Sequence, residues 1–220
     1  MKNQVLVFDV YGTLFNVFSL SKVSEDLFTG KGEEISQLWR KKQLEYSFLR
    51  ELMGTYIPFD EVTRDALRYT AEVLKCNLTE KNEKILMDEY KSLDLYPEVE
   101  RVLKKLSENY TLAIFSNGNS DMLVPLVEQA GISHFFDYII SADEGKNYKP
   151  SAAAYRLVTD KYQIEAQEVL FFSSNTWDIS GAKTFGFNTA WINRTGTVMD
   201  KLGVSPDITI NDLEQILRHL

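Results

Sequence analysis

The chain has 220 residues, 44% hydrophobic and 25% charged, with a formal net charge of −8; that is enough to bury a sizeable core, and no run approaches the ~18–20 apolar residues of a membrane span. The acidic balance argues against general binding to nucleic-acid backbones and leaves a small anionic substrate open. The single cysteine, Cys76, closes no intrachain disulfide, and two histidines, His134 and His219, form no zinc cluster.

The first apolar patch follows Lys2, but Asp9 and Gly12 interrupt it and no small-residue cleavage site follows, so a secretory leader is not expected. A cytoplasmic protein is. Within the patch, Val5-Leu6-Val7-Phe8 reads as a buried strand that delivers Asp9 to a loop containing Gly12 and Thr13. An isolated aspartate before a glycine is usually a turn former. Here the buried strand, a glycine that lets the backbone bend, and a hydroxyl able to orient the carboxylate point to a covalent nucleophile.

Beyond Leu14 the pattern becomes helical over 19–28, 33–56, 60–76 and 80–92, with apolar positions three and four apart. After Tyr96-Pro97 helices and strands alternate: helix 97–109, strand 111–116, helix 120–130, strand 137–141, helix 150–163, strand 168–173, helix 178–186, strand 188–192. Such alternation predicts an α/β protein with a Rossmann-like parallel sheet. The first strand joins that sheet, so the chain divides into a core, 1–14 and 96–220, and an inserted helical cap, 15–95. Asp207 to Ile210 predict a small edge strand before a final helix.

This topology brings three polar loops to the carboxyl ends of the strands, where open α/β sheets bind ligands. They are Asp9 and its turn, Ser116-Asn117-Gly118-Asn119, and Ser173-Ser174-Asn175-Thr176-Trp177-Asp178. Lys149 precedes Pro150, which suits the first turn of the next helix and keeps the lysine in extended chain near the same edge. Asp178 also fits as the N-cap of helix 178–186. Arg40 shares a helical stripe with Leu44 and Phe48, so its guanidinium can cross an apolar surface, although Arg40-Lys41-Lys42 also fits a solvated face.

Phe8-Asp9-Val10-Tyr11-Gly12-Thr13-Leu14, Ser116-Asn117-Gly118, Tyr148-Lys149-Pro150 and Ser173-Ser174-Asn175-Thr176-Trp177-Asp178 together resemble the four ordered motifs of the haloacid dehalogenase superfamily. Tyr11, the stretch from Trp39 to Tyr46, and the serine-serine-asparagine loop resemble the L-2-haloacid dehalogenases within it. The similarity runs from about Val5 to about Arg194. Superfamily phosphatases carry a second aspartate two residues after the first and a further acid in the fourth motif. Here Tyr11 and Ser173 or Ser174 stand at those places, so a magnesium site is not expected and no cofactor is implied.

The resemblance implies hydrolytic dehalogenation of short (S)-2-haloalkanoic acids to (R)-2-hydroxy acids through an aspartyl ester on Asp9. It assigns Arg40 and Asn117 to the departing halide, and Ser116, Lys149 and the loop amides at Val10 and Tyr11 to the substrate carboxylate. Thr13, Ser173 and Asn175 hold the carboxylate–lysine network, and Asp178 with Lys149 assists the water. Tyr155 either supports the lysine or simply packs in the core. Phe59 and Trp177 either line the pocket around the short alkyl chain or fill the core. Tyr11 closes the pocket beside either the halide or the carbon skeleton. The expected partner is a small-molecule haloacid, with no nucleic acid and no membrane, and the protein is expected to be a homodimer, with Leu38, Leu49 and Leu52 as contact candidates that could equally pack within the cap. A magnesium-dependent phosphatase and a non-catalytic carboxylate-binding protein on the same scaffold are the alternatives.

Overall fold

A computed structural model describes residues 5–220; Lys2 and its neighbours lie outside the described residues. Six parallel strands form one sheet in the order β3-β2-β1-β4-β5-β6. They are β1 (Val5–Phe8), β2 (Thr111–Ser116), β3 (Tyr138–Ser141), β4 (Val169–Ser173), β5 (Asn188–Ile192) and β6 (Ile208–Ile210). The first strand in the chain is thus an inner strand, paired with β2 on one side and β4 on the other. The side-chain period of two explains its unbroken apolar sequence, because both faces of the sheet are covered. Leu6 and Phe8 join one buried cluster, while Val5 and Val7 join the other. The same split repeats at Ile114 and Phe115 on β2 and at Phe172 and Phe171 on β4.

Of the five α-helices between β1 and β2, the first four are α1 (Leu20–Leu27), α2 (Gly32–Met53), α3 (Phe59–Val73) and α4 (Glu80–Glu89). The buried side of α2 runs through Ile35, Ser36, Trp39, Gln43 and Ser47, and the helix ends at Gly54 in the left-handed region. The chain leaves and returns through a short two-stranded neck. Asn16 N–H donates to Asp94 O at 2.8 Å, Tyr96 N–H donates to Leu14 O at 3.0 Å, and Phe15 bridges Leu95 antiparallel. The remaining helices, α5 (Val99–Ser107), α6 (Ser120–Gln129), α7 (Ala152–Tyr162) and α8 (Thr176–Phe185), connect the strands of the sheet.

Most helix ends shift by one to three residues from the sequence reading, and three differences bear on caps and helix type. Pro150 stays outside α7 because Ser151, with extended dihedrals, takes the N-cap position. Helix α8 starts at Thr176 with Asn175 as its N-cap, so Asp178 is not the cap but sits in the first turn, donating its N–H to Asn175 O. The final helix is a 3₁₀ segment, Leu213–Arg218, capped by the Asp212 side chain on Gln215 N–H. Local propensity ranks good caps alike, and here the polar residue that ends the loop, rather than the one inside the turn, holds the place.

Helix α8 comes close enough to the start of α7 that Gly181 has no room for a side chain. A methyl there would lie 2.5 Å from Pro150 Cβ and 2.6 Å from Tyr155 Oη. Gly181→Ala is therefore expected to cost ~1–3 kcal/mol in urea denaturation, and unchanged stability would show that this packing is looser than described.

Candidate active site

The strand order decides which loops meet. Because β1 lies between β2 and β4, Asp9 at the end of β1 is flanked by Ser116-Asn117 after β2 and by Ser173-to-Asp178 after β4. Lys149 approaches from the segment before α7. Asp9 is 4% exposed, and Lys149 and Asp178 are wholly buried.

The Lys149 ammonium sits between the two carboxylates. Its Nζ donates to Asp9 Oδ1 at 2.9 Å, to Asp178 Oδ2 at 2.6 Å and to Phe115 O at 3.2 Å, which uses all three of its donors. The other Asp9 oxygen, Oδ2, accepts from Thr13 Oγ1 at 2.8 Å, Asn175 Nδ2 at 2.9 Å and Ser173 Oγ at 3.4 Å. Asp178 Oδ1 accepts from the Tyr155 hydroxyl at 2.6 Å. Every ionised oxygen thus has a donor, as burial requires.

Burial opposes the Lys149 charge, but Asp178 and Asp9 outweigh it and hold the ammonium above the ordinary lysine value. For Asp178 the balance runs the other way. Burial and the neighbouring Asp9 outweigh Lys149 and Tyr155, and its carboxyl is pushed up to about 6. Burial, then Asp178, keeps the Tyr155 phenol protonated and able to donate. The Tyr11 hydroxyl is buried without a partner. Burial and then Tyr90 push its ionisation far above the tyrosine range, against the pull of Arg40. Tyr11 is a neutral phenol rather than a second acid.

Arg40 and Leu44 line one cavity of about 190 Å³ with Tyr11, Gly12 and Asn175, so the half-buried stripe of α2 faces the loop after β1. The guanidinium is aimed by a buried chain that the sequence did not reveal. Arg40 Nη1 donates to Gln43 Oε1 at 2.7 Å, Gln43 Nε2 donates to Thr63 Oγ1 at 2.7 Å, and Thr63 Oγ1 donates to Phe59 O at 2.6 Å. A glutamine three residues after the arginine, within reach of it on the same helix, was the available signal. Phe59 is buried against Tyr11 and Tyr148, with ring centroids 6.2 and 6.0 Å apart. Trp177 is half-buried, edge-on to Phe48 at 5.1 Å, and 5.9 Å from Lys149 Nζ.

Asn117 has a contact that sequence reasoning missed. Its Oδ1 accepts from Lys149 N–H at 2.7 Å, and its Nδ2 donates to Lys149 O at 3.3 Å. The amide therefore holds the lysine backbone. From α2, Glu51 Oε2 accepts from Tyr148 N–H at 2.6 Å, and the Tyr148 hydroxyl donates to Ile57 O. Ser116 Oγ accepts from Gly118 N–H at 3.2 Å. Val10 is fully buried, and its carbonyl accepts from Thr13, Leu14 and Phe15 N–H, which closes the loop. Among the described residues, no three His, Cys, Asp or Glu side chains gather as a metal site.

Residues 4–186 match the family model for haloacid dehalogenase-like hydrolases. The chain is 43% identical to (S)-2-haloacid dehalogenase 2 of Pseudomonas sp. (strain CBS-3), covering 96% of this chain and 93% of that one. It is 42% identical to haloacetate dehalogenase H-2 of Moraxella sp. (strain B), covering 98% and 97%. The structure of the L-2-haloacid dehalogenase from Xanthobacter autotrophicus with chloropropionic acid covalently bound superimposes with a TM-score of 0.93 at 36% identity, over all of both chains.

Raised values have a defined sign. The folded state favours protonated Asp178, so its ionisation removes stability as pH rises from 3.8 to about 6. The Lys149 contribution is present below 10.5 and lost as pH climbs through its higher folded value. Carboxyl carbon-13 NMR of Asp178 is expected to titrate near 6. Tyr155→Phe removes a donor that favours the carboxylate and should move the midpoint up; a downward move would contradict the assignment.

Proposed function

The chain belongs to the haloacid dehalogenase-like hydrolases, and we propose on that basis that it hydrolyses short (S)-2-haloalkanoic acids to (R)-2-hydroxy acids and halide through an ester on Asp9. The observation that carries this reading is the Asp9 carboxylate itself. It is buried, fastened by Lys149, Thr13, Ser173 and Asn175, and followed two residues later by a neutral phenol. Such a group is oriented for attack, and the place two residues on, where a phosphatase of this superfamily keeps its acid, holds that phenol instead. Halide needs no proton to leave. The fixed cation beside Asp9 is the Lys149 ammonium.

In the first step an Asp9 oxygen attacks C2 from the side opposite the halogen. The carbon–oxygen bond forms as the carbon–halogen bond breaks, the halide takes the electron pair, and C2 inverts. Arg40 receives the halide with Asn117, whose amide also holds Lys149 in place. Ser116 and the loop amides at Val10 and Tyr11 hold the substrate carboxylate, Lys149 attracts it by charge while its three donors stay on Asp9, Asp178 and Phe115, and Tyr11, Phe59 and Trp177 surround the short alkyl chain.

In the second step water adds to the carboxyl carbon of Asp9 as Asp178 takes its proton, and Lys149 and backbone N–H groups stabilise the oxyanion. The bond from that carbon to the C2 oxygen then breaks, the carboxylate of Asp9 re-forms, and the departing oxygen takes the proton from Asp178, so the C2–oxygen bond stays with the product. Tyr155 supports this step by holding Asp178. The phosphatase alternative requires carboxylate ligands for magnesium where the loops after β1 and β4 have Tyr11, Ser173 and Ser174. The non-catalytic alternative leaves the four-donor arrangement around Asp9 without a use.

The reading extends to residues 15–95 acting as a cap over a core of 1–14 and 96–220, and to a cytoplasmic homodimer. The dimer is supported by Leu49, Leu52 and Met53, exposed at 43%, 83% and 63% at the end of α2, a cluster costly to leave in water. No described helix is long and apolar enough to cross a membrane.

Halide release from (S)-2-chloropropionate is the direct test. Asp9→Asn should abolish it, and a chelator should leave it unchanged. With enzyme in excess in oxygen-18 water, label should enter Asp9 before the product; first-turnover label in the product hydroxyl would instead mean direct attack by water. Light scattering should give twice the chain mass, and Leu52→Asp should shift it toward the monomer.

A further inference from the structure

Arg194 follows β5, beyond every motif given a chemical role, yet it reaches the nucleophile loop. Its Nη2 donates to Thr13 O at 2.9 Å, its Nη1 donates to Glu98 Oε1 at 2.6 Å, and its guanidinium carbon lies 3.7 Å from the centre of the Tyr96 ring. The Arg194 and Glu98 side chains are 11% and 14% exposed, so water screens the pair weakly. Glu98 Oε1 also accepts from Leu213 N–H at 3.3 Å, which ties the acceptor to the C-terminal segment.

These partners belong to both strands of the neck. Thr13 lies just before the outgoing strand, which is joined to the returning strand through Leu14 O and Tyr96 N–H at 3.0 Å. Tyr96 and Glu98 lie on the return. One planar fork therefore fastens the nucleophile loop, the returning neck and a core loop into a single frame. Thr13 is held at every polar group. Its N–H donates to Val10 O at 3.1 Å, its carbonyl accepts from Arg194, and its hydroxyl accepts from Ser174 N–H at 2.8 Å while donating to Asp9 Oδ2 at 2.8 Å.

We propose that Arg194 is a positioning residue for the nucleophile, acting through Thr13: by fixing the Thr13 carbonyl against both strands of the neck, it sets the angle at which Asp9 meets C2. The proposal rests on the reading of Asp9 as nucleophile. Attack on carbon tolerates little misplacement of the reacting oxygen, and the Thr13 hydroxyl is one of the short contacts that aim Oδ2. A lysine cannot replace the fork, because a single ammonium does not present two parallel donors and a flat face together.

The test is a double-mutant cycle on the single-turnover rate of Asp9 ester formation from (S)-2-chloropropionate, followed by intact-protein mass. Arg194→Met should slow ester formation about tenfold or more, while the half-saturating substrate concentration moves less than about threefold. Arg194→Lys should recover little of that loss. In a Thr13→Ala background the same Arg194→Met change should cost less than about twofold, because the path through Thr13 is already broken. Equal losses in the two backgrounds, or a normal rate in folded Arg194→Met, would overturn the proposal.

Hydrogen exchange without substrate reads the same contact independently. Amides of Gly12, Thr13 and Leu14 should exchange faster in Arg194→Met while β4 stays protected, and unchanged loop exchange would count against the clamp. If the unmodified protein forms no ester, the Asp9 reading fails while the exchange result still decides the clamp. Should Arg194→Met not fold, Glu98→Gln keeps an acceptor but removes its charge. It should slow ester formation to a smaller degree, and no slowing would overturn the proposal.

Discussion

The buried ammonium of Lys149 between Asp9 and Asp178 is the constraint on which the rest of the molecule depends. Three charges removed from water are costly unless each is paired and hydrogen-bonded. Here one cation bridges two anions at 2.9 and 2.6 Å, and the remaining oxygens take hydroxyl and amide donors. Two carboxylates against one ammonium leave an excess of negative charge, consistent with an Asp178 carboxyl pushed up to about 6. Adding an anionic substrate would raise that excess further. A second cation is therefore needed nearby, and Arg40, whose field reaches Tyr11 on the loop after β1, is placed to supply it.

Much of the surrounding architecture serves to keep that ammonium in place. The parallel sheet sets β1 between β2 and β4, so its aspartate emerges between two polar loops. The Asn117 amide closes both hydrogen bonds on the Lys149 backbone. Tyr155 meets Asp178 from α7 while Gly181 on α8 leaves room for its ring. Helices α2 and α3 contribute as well, through Glu51 on the Tyr148 N–H and the Gln43–Thr63 chain that orients Arg40. Active geometry and packing are thus the same set of contacts, and a change in one is felt in the other.

Particular residues show how far the sequence could be read. The unbroken apolar run of β1 marked an inner strand, since both faces of the sheet need apolar side chains, and the loops after β1, β2 and β4 were found because polar residues interrupt such runs abruptly. Helix ends were read less well. Pro150 and Asp178 are good helix starters by local preference, yet Ser151 and Asn175 take those places. The half-buried stripe of Arg40, Leu44 and Phe48 was visible in the helical period. That Gln43, one position from Leu44, lies fully buried and aims the guanidinium was not, because its partner Thr63 is on another helix.

By itself the sequence determined the fold class, the order of strands and helices along the chain, and the residue types at the carboxyl ends of the strands, with Tyr11 in place of a second acid. These are local properties: side-chain period, turn chemistry and the identity of single residues decide them. Only the tertiary structure decided which of those residues share a hydrogen bond. Thr13 meets Arg194, 181 residues further along the chain, and Lys149 meets Asp9 across 140. Such pairs are chosen by the strand order and the depth of burial, which set where each charge can find a partner away from water, and nothing in the neighbouring sequence encodes that choice.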